Sequence, residues 1–177
     1  MPLTSLNSKI ILSIVGMLFL VSLPSHADVV GNVTEQIGQE AKISRSKDTI
    51  TVGTGTGIEM NDVITTSKAR LGLTFVDNTK VAITAQSRLI IDDFVYDPKS
   101  GTGKLAMNIA SGTVRYASGA IAHNNNENVR LRTPTATISV RGTDFTMTVD
   151  EIGRSLVILL PSCPDPKKTR GMLYGRD

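Results

Sequence analysis

Tryptophan is missing from these 177 residues, cysteine occurs once, histidine twice, and aromatic side chains make up only 4%. Each scarcity excludes something. A lone cysteine, Cys163, cannot close an internal disulfide, so the fold must be held by packing alone. It lies in the irregular run Pro161-Ser-Cys-Pro164 with no motif around it, and reads as an incidental thiol. Two histidines and one cysteine do not supply the three or four ligands of a zinc site. The carboxylates are not spaced as in a calcium-binding loop. Few aromatics remove the stacking platform that single-stranded nucleic acid needs. Charge is scarce as well: 19 basic against 16 acidic residues, formally +3, with the densest bias in Lys167-Lys168-Thr169-Arg170. Such a short basic run reads as solvated, and no nucleic-acid partner is expected.

Catalytic patterns are missing too. There is no Gly-x-Ser-x-Gly elbow, and a serine or cysteine nucleophile would have to recruit His123 as its base. That histidine opens the polar stretch His123-Asn-Asn-Asn-Glu-Asn128, where a solvated loop is the simpler reading. Gly53-Thr-Gly-Thr-Gly57 fits neither dinucleotide-binding nor Walker spacing, and reads as a turn. Glu59 and Asp62 could form a weak cation site, although a solvated turn explains them more simply. Asp92 and Asp93 would point to opposite faces of a strand, and read as a strand-end pair. No enzyme activity, cofactor or metal is expected.

What is present begins with the only long apolar run, Ile10 to Leu23. Lys9 precedes it; Pro24 and Ser25-His26-Ala27 follow. A basic start, a short apolar core and a small-x-small end describe a secretory leader. Fourteen residues are fewer than the ~20 of a spanning helix. Cleavage after Ala27 predicts a periplasmic or secreted chain of 150 residues, from Asp28 to Asp177, that meets the membrane only through its leader. That length suits one domain.

From Ile50 onward, period-two alternation dominates. It runs through Leu71-x-Leu73-x-Phe75, Val81-x-Ile83, Leu89-x-Ile91, Leu105-x-Met107-x-Ile109, Val114-x-Tyr116, Val129-x-Leu131 and Phe145-x-Met147-x-Val149, and ends in the run Leu156 to Leu160. Alternation places one set of side chains on a buried face and the other in water. Turn residues separate the runs at Asn61-Asp62, Asp77-Asn78, Ser111-Gly112, Ser118-Gly119, Thr133-Pro134 and Arg141-Gly142. Asn32 to Ala41 suits a weak helix or a first strand. The prediction is an all-β fold, with a leader at 1–27, a β domain at 28–160 and an extended or disordered tail at 161–177.

Several segments in order resemble the FecR domain, found in periplasmic parts of ferric-citrate-type regulators. Asn61-Asp62-Val63-Ile64-Thr65-Thr66 resembles its opening strand. Ala69 to Thr79 resembles its hairpin, and Ser111-Gly112-Thr113-Val114 a later strand. Its most specific signature is resembled by Thr133-Pro134-Thr135-Ala136, continuing through Val140-Arg141-Gly142-Thr143-Asp144-Phe145. The likeness spans about Gly57 to Val149, the core of the domain. It implies two curved antiparallel sheets in a roll- or solenoid-like sandwich, and binding or signalling without catalysis; the signal helix read above precedes this domain. Its motif positions Asp62, Thr65, Asp77, Asn78, Gly112, Thr133, Pro134, Ala136, Arg141, Gly142, Thr143 and Phe145 are expected to be structural. Gly142 should take a positive φ, and Arg141 should bond turn carbonyls or a carboxylate.

Asn61 and Asn78 depart from the family's glycines, though Asn tolerates left-handed turns. Only nine residues precede the apolar run, so the cytoplasmic anti-sigma segment is not expected, nor sigma-factor control by this chain alone. The functional expectation is an envelope module that binds a protein or other ligand. The alternative is a surface component that binds glycan or self-associates through open β edges.

Overall fold

The computed structural model describes residues 28–124 and 128–161. The readings made for the leader, for Cys163 and for the Lys167–Arg170 run lie outside the described residues.

The described residues form thirteen strands and one short helix: β1 (Val29–Ile37), β2 (Ala41–Arg45), β3 (Asp48–Thr51), β4 (Gly57–Glu59), β5 (Val63–Thr66), β6 (Arg70–Phe75), β7 (Lys80–Ile83), β8 (Ser87–Asp97), β9 (Thr102–Ala117), α1 (Ala120–Asn124), β10 (Val129–Arg132), β11 (Thr137–Ser139), β12 (Phe145–Val149) and β13 (Ser155–Leu159). The stretch that suited helix or strand, Asn32 to Ala41, is mostly β1. Its Val30 and Val33 are buried.

Two sheets share one long strand. The first half of β9 lies between β8 and β10, in a sheet ordered β3-β2-β5-β8-β9-β10-β11. Its second half lies between β7 and β12, in a sheet ordered β4-β1-β6-β7-β9-β12-β13. The apolar residues Leu105, Met107 and Ile109 face the core from the first half. Val114 and Tyr116 do so from the second, all at 0% exposure. Odd positions thus give way to even ones. The change of phase occurs where the β8–β9 register shifts opposite Arg88 and Leu89, just before Gly112 at φ +87°. An extra residue flips the alternation and bends the strand, so one strand leaves the first sheet for the second while keeping its apolar face inward. Ser111-Gly112, expected as a turn between two strands, is therefore a corner within one of 16 residues.

The same device operates in β8. A register shift between Ile91 and Asp93 takes the buried series from Leu89 and Ile91 to Phe94. Asp92 and Asp93 accordingly sit in the middle of an 11-residue strand at a bulge, not at a strand end. Lys104 pairs with Asp93 across the strands.

One pairing departs from the antiparallel pattern. After β9 the chain passes through α1 and returns as β10, which runs parallel to the first half of β9. Parallel neighbours need a crossover, and here α1 supplies part of it, burying Ile121 and Ala122 over the core. This five-residue helix is too short to register as a periodic pattern. The side chains that alternation assigned to the interior are there: Leu71, Leu73, Phe75, Val81, Ile83, Leu89, Ile91, Val129, Leu131, Phe145, Met147 and Val149 are all buried. Phe75 stacks on Phe94 at 5.5 Å between ring centroids, and Tyr116 on Phe145 at 5.2 Å.

Candidate functional site

Three of the motif residues, Asp62, Asp77 and Phe145, turn fully inward. Asp62 is fully buried in the turn just before β5. Its Oδ1 accepts from Arg45 Nε at 2.8 Å. Its Oδ2 accepts from Arg45 Nη2 at 2.7 Å and from the Glu59 amide at 2.8 Å. The same guanidinium donates to Glu59 Oε1 and to the Gly57 carbonyl. Bidentate pairing of this kind is the strong form of a charge-assisted bond. The hydrogen bond to Asp62 raises the Arg45 pKa, against the opposing effect of burial. The Glu59–Asp62 cluster expected as a solvated turn is therefore not solvated: its cation is Arg45, from the end of β2. No sequence motif singled out Arg45.

On β5, Thr65 is half-buried and faces Lys42 and Arg88 across the strands. The hydrogen bonding falls to its neighbour Thr66, buried, whose Oγ1 donates to the Thr84 carbonyl at 2.6 Å and accepts from the Ser87 amide at 3.0 Å. Thr66 occupies the last place of the opening motif, and alternation alone would have placed it inside. Ser87 Oγ accepts from the Thr113 amide and lies against Gly112, where a Cβ would come within 2.0 Å of it. The β9 corner thus needs glycine for its φ and for its closeness to Ser87.

Asp77 and Asn78 form the β6–β7 turn, with Asn78 at φ +66°. Fully buried Asp77 accepts from the Thr79 amide at 3.0 Å, the Thr79 hydroxyl at 2.8 Å and the Ile121 amide at 3.3 Å. Its backbone carbonyl accepts from the Ala120 amide at 2.8 Å. One turn carboxylate therefore anchors the first turn of α1. Nearby, the Ser118 amide donates to Asp144 Oδ1. The Tyr116 hydroxyl lies buried close to Thr79 and Ser118, but meets hydrogen-bond geometry with neither. Burial pushes it up to about 12.

Thr133 closes the β10–β11 turn, accepting from the Ala136 amide at 3.0 Å and from the Ser155 hydroxyl at 2.7 Å. Pro134 packs against Gly153 of the β12–β13 turn, and Ala136 is exposed. Gly142 takes φ +59° beside His123 of α1, as expected of a glycine between strands. Arg141 does not behave as expected. Its side chain is exposed and makes no hydrogen bond among the described residues, while its carbonyl accepts from the Thr143 hydroxyl. Phe145 is core.

These positions do not converge on one point. They brace separate corners of the domain, and among the described residues no three His, Cys, Asp or Glu side chains gather as metal ligands. The concave features lie elsewhere. On the outer face of the second sheet, two adjoining hollows of about 290 Å³ each share Glu35, Gly72, Ala82 and Arg115. Gly72 and Ala82 are cross-strand neighbours, as are Ala82 and Arg115. Two small residues between longer ones sink the floor of a trough. Arg70 stands at one end and Lys80 at the other. None of Arg70, Lys80 and Arg115 forms a salt bridge among the described residues, and Glu35 is the only carboxylate on the lining. A third hollow, of about 490 Å³, opens between Val29, Met60, Val76, Phe94, Val95 and Tyr96, with Asp28 at its rim.

A family model described as FecR protein matches residues 61–160. No curated protein and no solved structure matches the chain significantly.

Proposed function

The chain belongs to the FecR family, which fits a signalling-related module of the cell envelope, and on that premise we propose that it is an exported, non-catalytic binding module. The carrying observation is a division of labour. Asp62, Asp77 and Thr133 of the motif bond to their own chain and Arg141 stands apart in solvent, whereas Arg70, Lys80 and Arg115 gather around the trough without carboxylate partners among the described residues. A recessed sheet face bearing cations, hydroxyls and a floor of small residues suits an acidic partner, whether an envelope protein or a glycan. Threonines 34, 74, 84, 113 and 146 add donors along the lining. The leader directs the chain to the periplasm or beyond, and cleavage after Ala27 frees it from the membrane.

The test uses the full chain expressed in a Gram-negative host. Wild-type protein recovered as a soluble periplasmic species starting at Asp28 should be retained by an envelope fraction. A variant carrying Arg70→Glu, Lys80→Glu and Arg115→Glu should keep its circular dichroism and lose that retention. Equal retention of both proteins would remove the trough from the proposal. A full-length species held in the inner membrane would overturn the exported-domain reading.

A further inference from the structure

Four strands end the sheets with one side unpaired among the described residues: β3, β4, β11 and β13. Three are guarded in the ways native edges usually are. β3 carries Asp48; β4 has three residues and ends in Glu59; β11 has three, of which Thr137 and Ser139 are polar. β13 has no such protection. Its five residues are Ser-Leu-Val-Ile-Leu, without charge or proline. Leu156, Val157, Ile158 and Leu159 are 61, 37, 53 and 70% exposed, an apolar content that a solvent-facing edge does not call for.

The backbone register identifies which groups are open. Asp150 N donates to Arg154 O, and Leu160 N to Asp144 O, at the two ends of the β12–β13 ladder. In an antiparallel pair the bonded positions recur at every second residue, so Leu156 and Ile158 bond to β12. Ser155, Val157 and Leu159 then present their N–H and C=O groups outward.

We propose that this edge pairs with the same edge of a second copy, antiparallel about a two-fold axis through Val157. That arrangement sets Val157 beside its mate and Ser155 beside Leu159 of the second copy, using the outward groups on both sides. Leu156 meets Ile158 on the outer face. The strand is thus its own complement, as an isologous contact requires. Charge agrees: the strand is neutral, and at its near end Arg154 is already paired with Asp150 of its own chain, so no like charges are opposed. A charged partner would find nothing here to recognise. The contact joins the second sheets of two copies into one continuous sheet and leaves the trough free, so it stands apart from the binding proposal. A single five-residue edge buries well under the ~1,200 Å² of a stable complex, so the dimer is weak and concentration-dependent.

Sedimentation velocity across a wide range of concentration tests this on the full exported chain, together with amide hydrogen exchange. The mass should rise toward twice the monomer, with the amides of Ser155, Val157 and Leu159 gaining protection as it does. Val157→Pro removes an outward N–H that β12 does not use, and Ile158→Lys places a charge on the contact. Both should restore the monomer at every concentration, with unchanged circular dichroism. A monomer at high concentration with unprotected edge amides would overturn the proposal. So would a monomer with protected ones, which would assign the edge to residues 162–177, and so would a dimer that survives both substitutions.

Discussion

Arg45→Ala is the most informative single perturbation of this fold. The guanidinium it removes is about a quarter exposed, whereas the Asp62 carboxylate left behind is fully buried. Asp62 would lose both arms of its bidentate partner and keep the Glu59 amide. Removing one member of a buried pair costs about 3–5 kcal/mol, because the remaining charge is stranded. The surviving amide bond and the solvent admitted by the missing side chain place the loss at the lower end, about 3 kcal/mol. For a domain of this size that corresponds to a fall in Tm of about 10 °C. Urea denaturation at neutral pH measures the loss directly. Arg45→Lys keeps the charge but not the fork geometry, and should fall between wild type and Arg45→Ala. The decisive comparison is the double variant Arg45→Ala/Asp62→Ala. If the cost arises from the stranded carboxylate, the double variant is more stable than the sum of the single losses predicts, by more than ~1 kcal/mol. Strict additivity, or a loss below ~0.5 kcal/mol for Arg45→Ala, would refute the reasoning.

Three further substitutions test other parts of the fold. Tyr116 is held neutral by burial at a pKa of about 12 against an ordinary 10.0. The unfolded chain ionises first, so stability is complete below pH 10, falls by roughly 2–3 kcal/mol between pH 10 and pH 12, and levels above that. Tyr116→Phe should flatten this alkaline limb in urea titrations, and at neutral pH should be neutral or slightly stabilising, since the hydroxyl leaves no hydrogen bond behind. Gly112→Ala combines a left-handed φ with a Cβ set against Ser87, and should cost about 3 kcal/mol or more in thermal unfolding. Gly55→Ala, also at positive φ but in open space, should cost only about 1–2 kcal/mol.

Much of this fold was legible in the sequence because period-two burial is a local consequence of the pleat. Leu71-x-Leu73-x-Phe75 needs no knowledge of its partners to declare which face is inside. Even the phase change from Ile109 to Val114 was visible, though its meaning was not. A broken alternation reads equally as a turn between strands or as a bulged corner within one. Only the position of β8 beside the first half of β9, and of β7 and β12 beside the second, distinguishes the two. The glycine at 112 was legible as a special backbone position. That Ser87 closes on it from 25 residues away was not. Thr65 and Thr66 are adjacent and chemically identical, and the bond to Thr84 separates them. Arg45 belongs to no motif, and Arg141 belongs to the most specific one; the buried carboxylate went to the first and open solvent to the second. The trough and the bare edge of β13 depend in the same way on strand order, which brings Gly72, Ala82 and Arg115 side by side and leaves no described strand beyond Val157. Alternation and turn chemistry are set within a few residues of chain, so the sequence by itself determined the all-β fold and most of its core. Which charges pair and which edges stay open depend on segments that meet only when the sheets assemble, and the tertiary structure alone decided them.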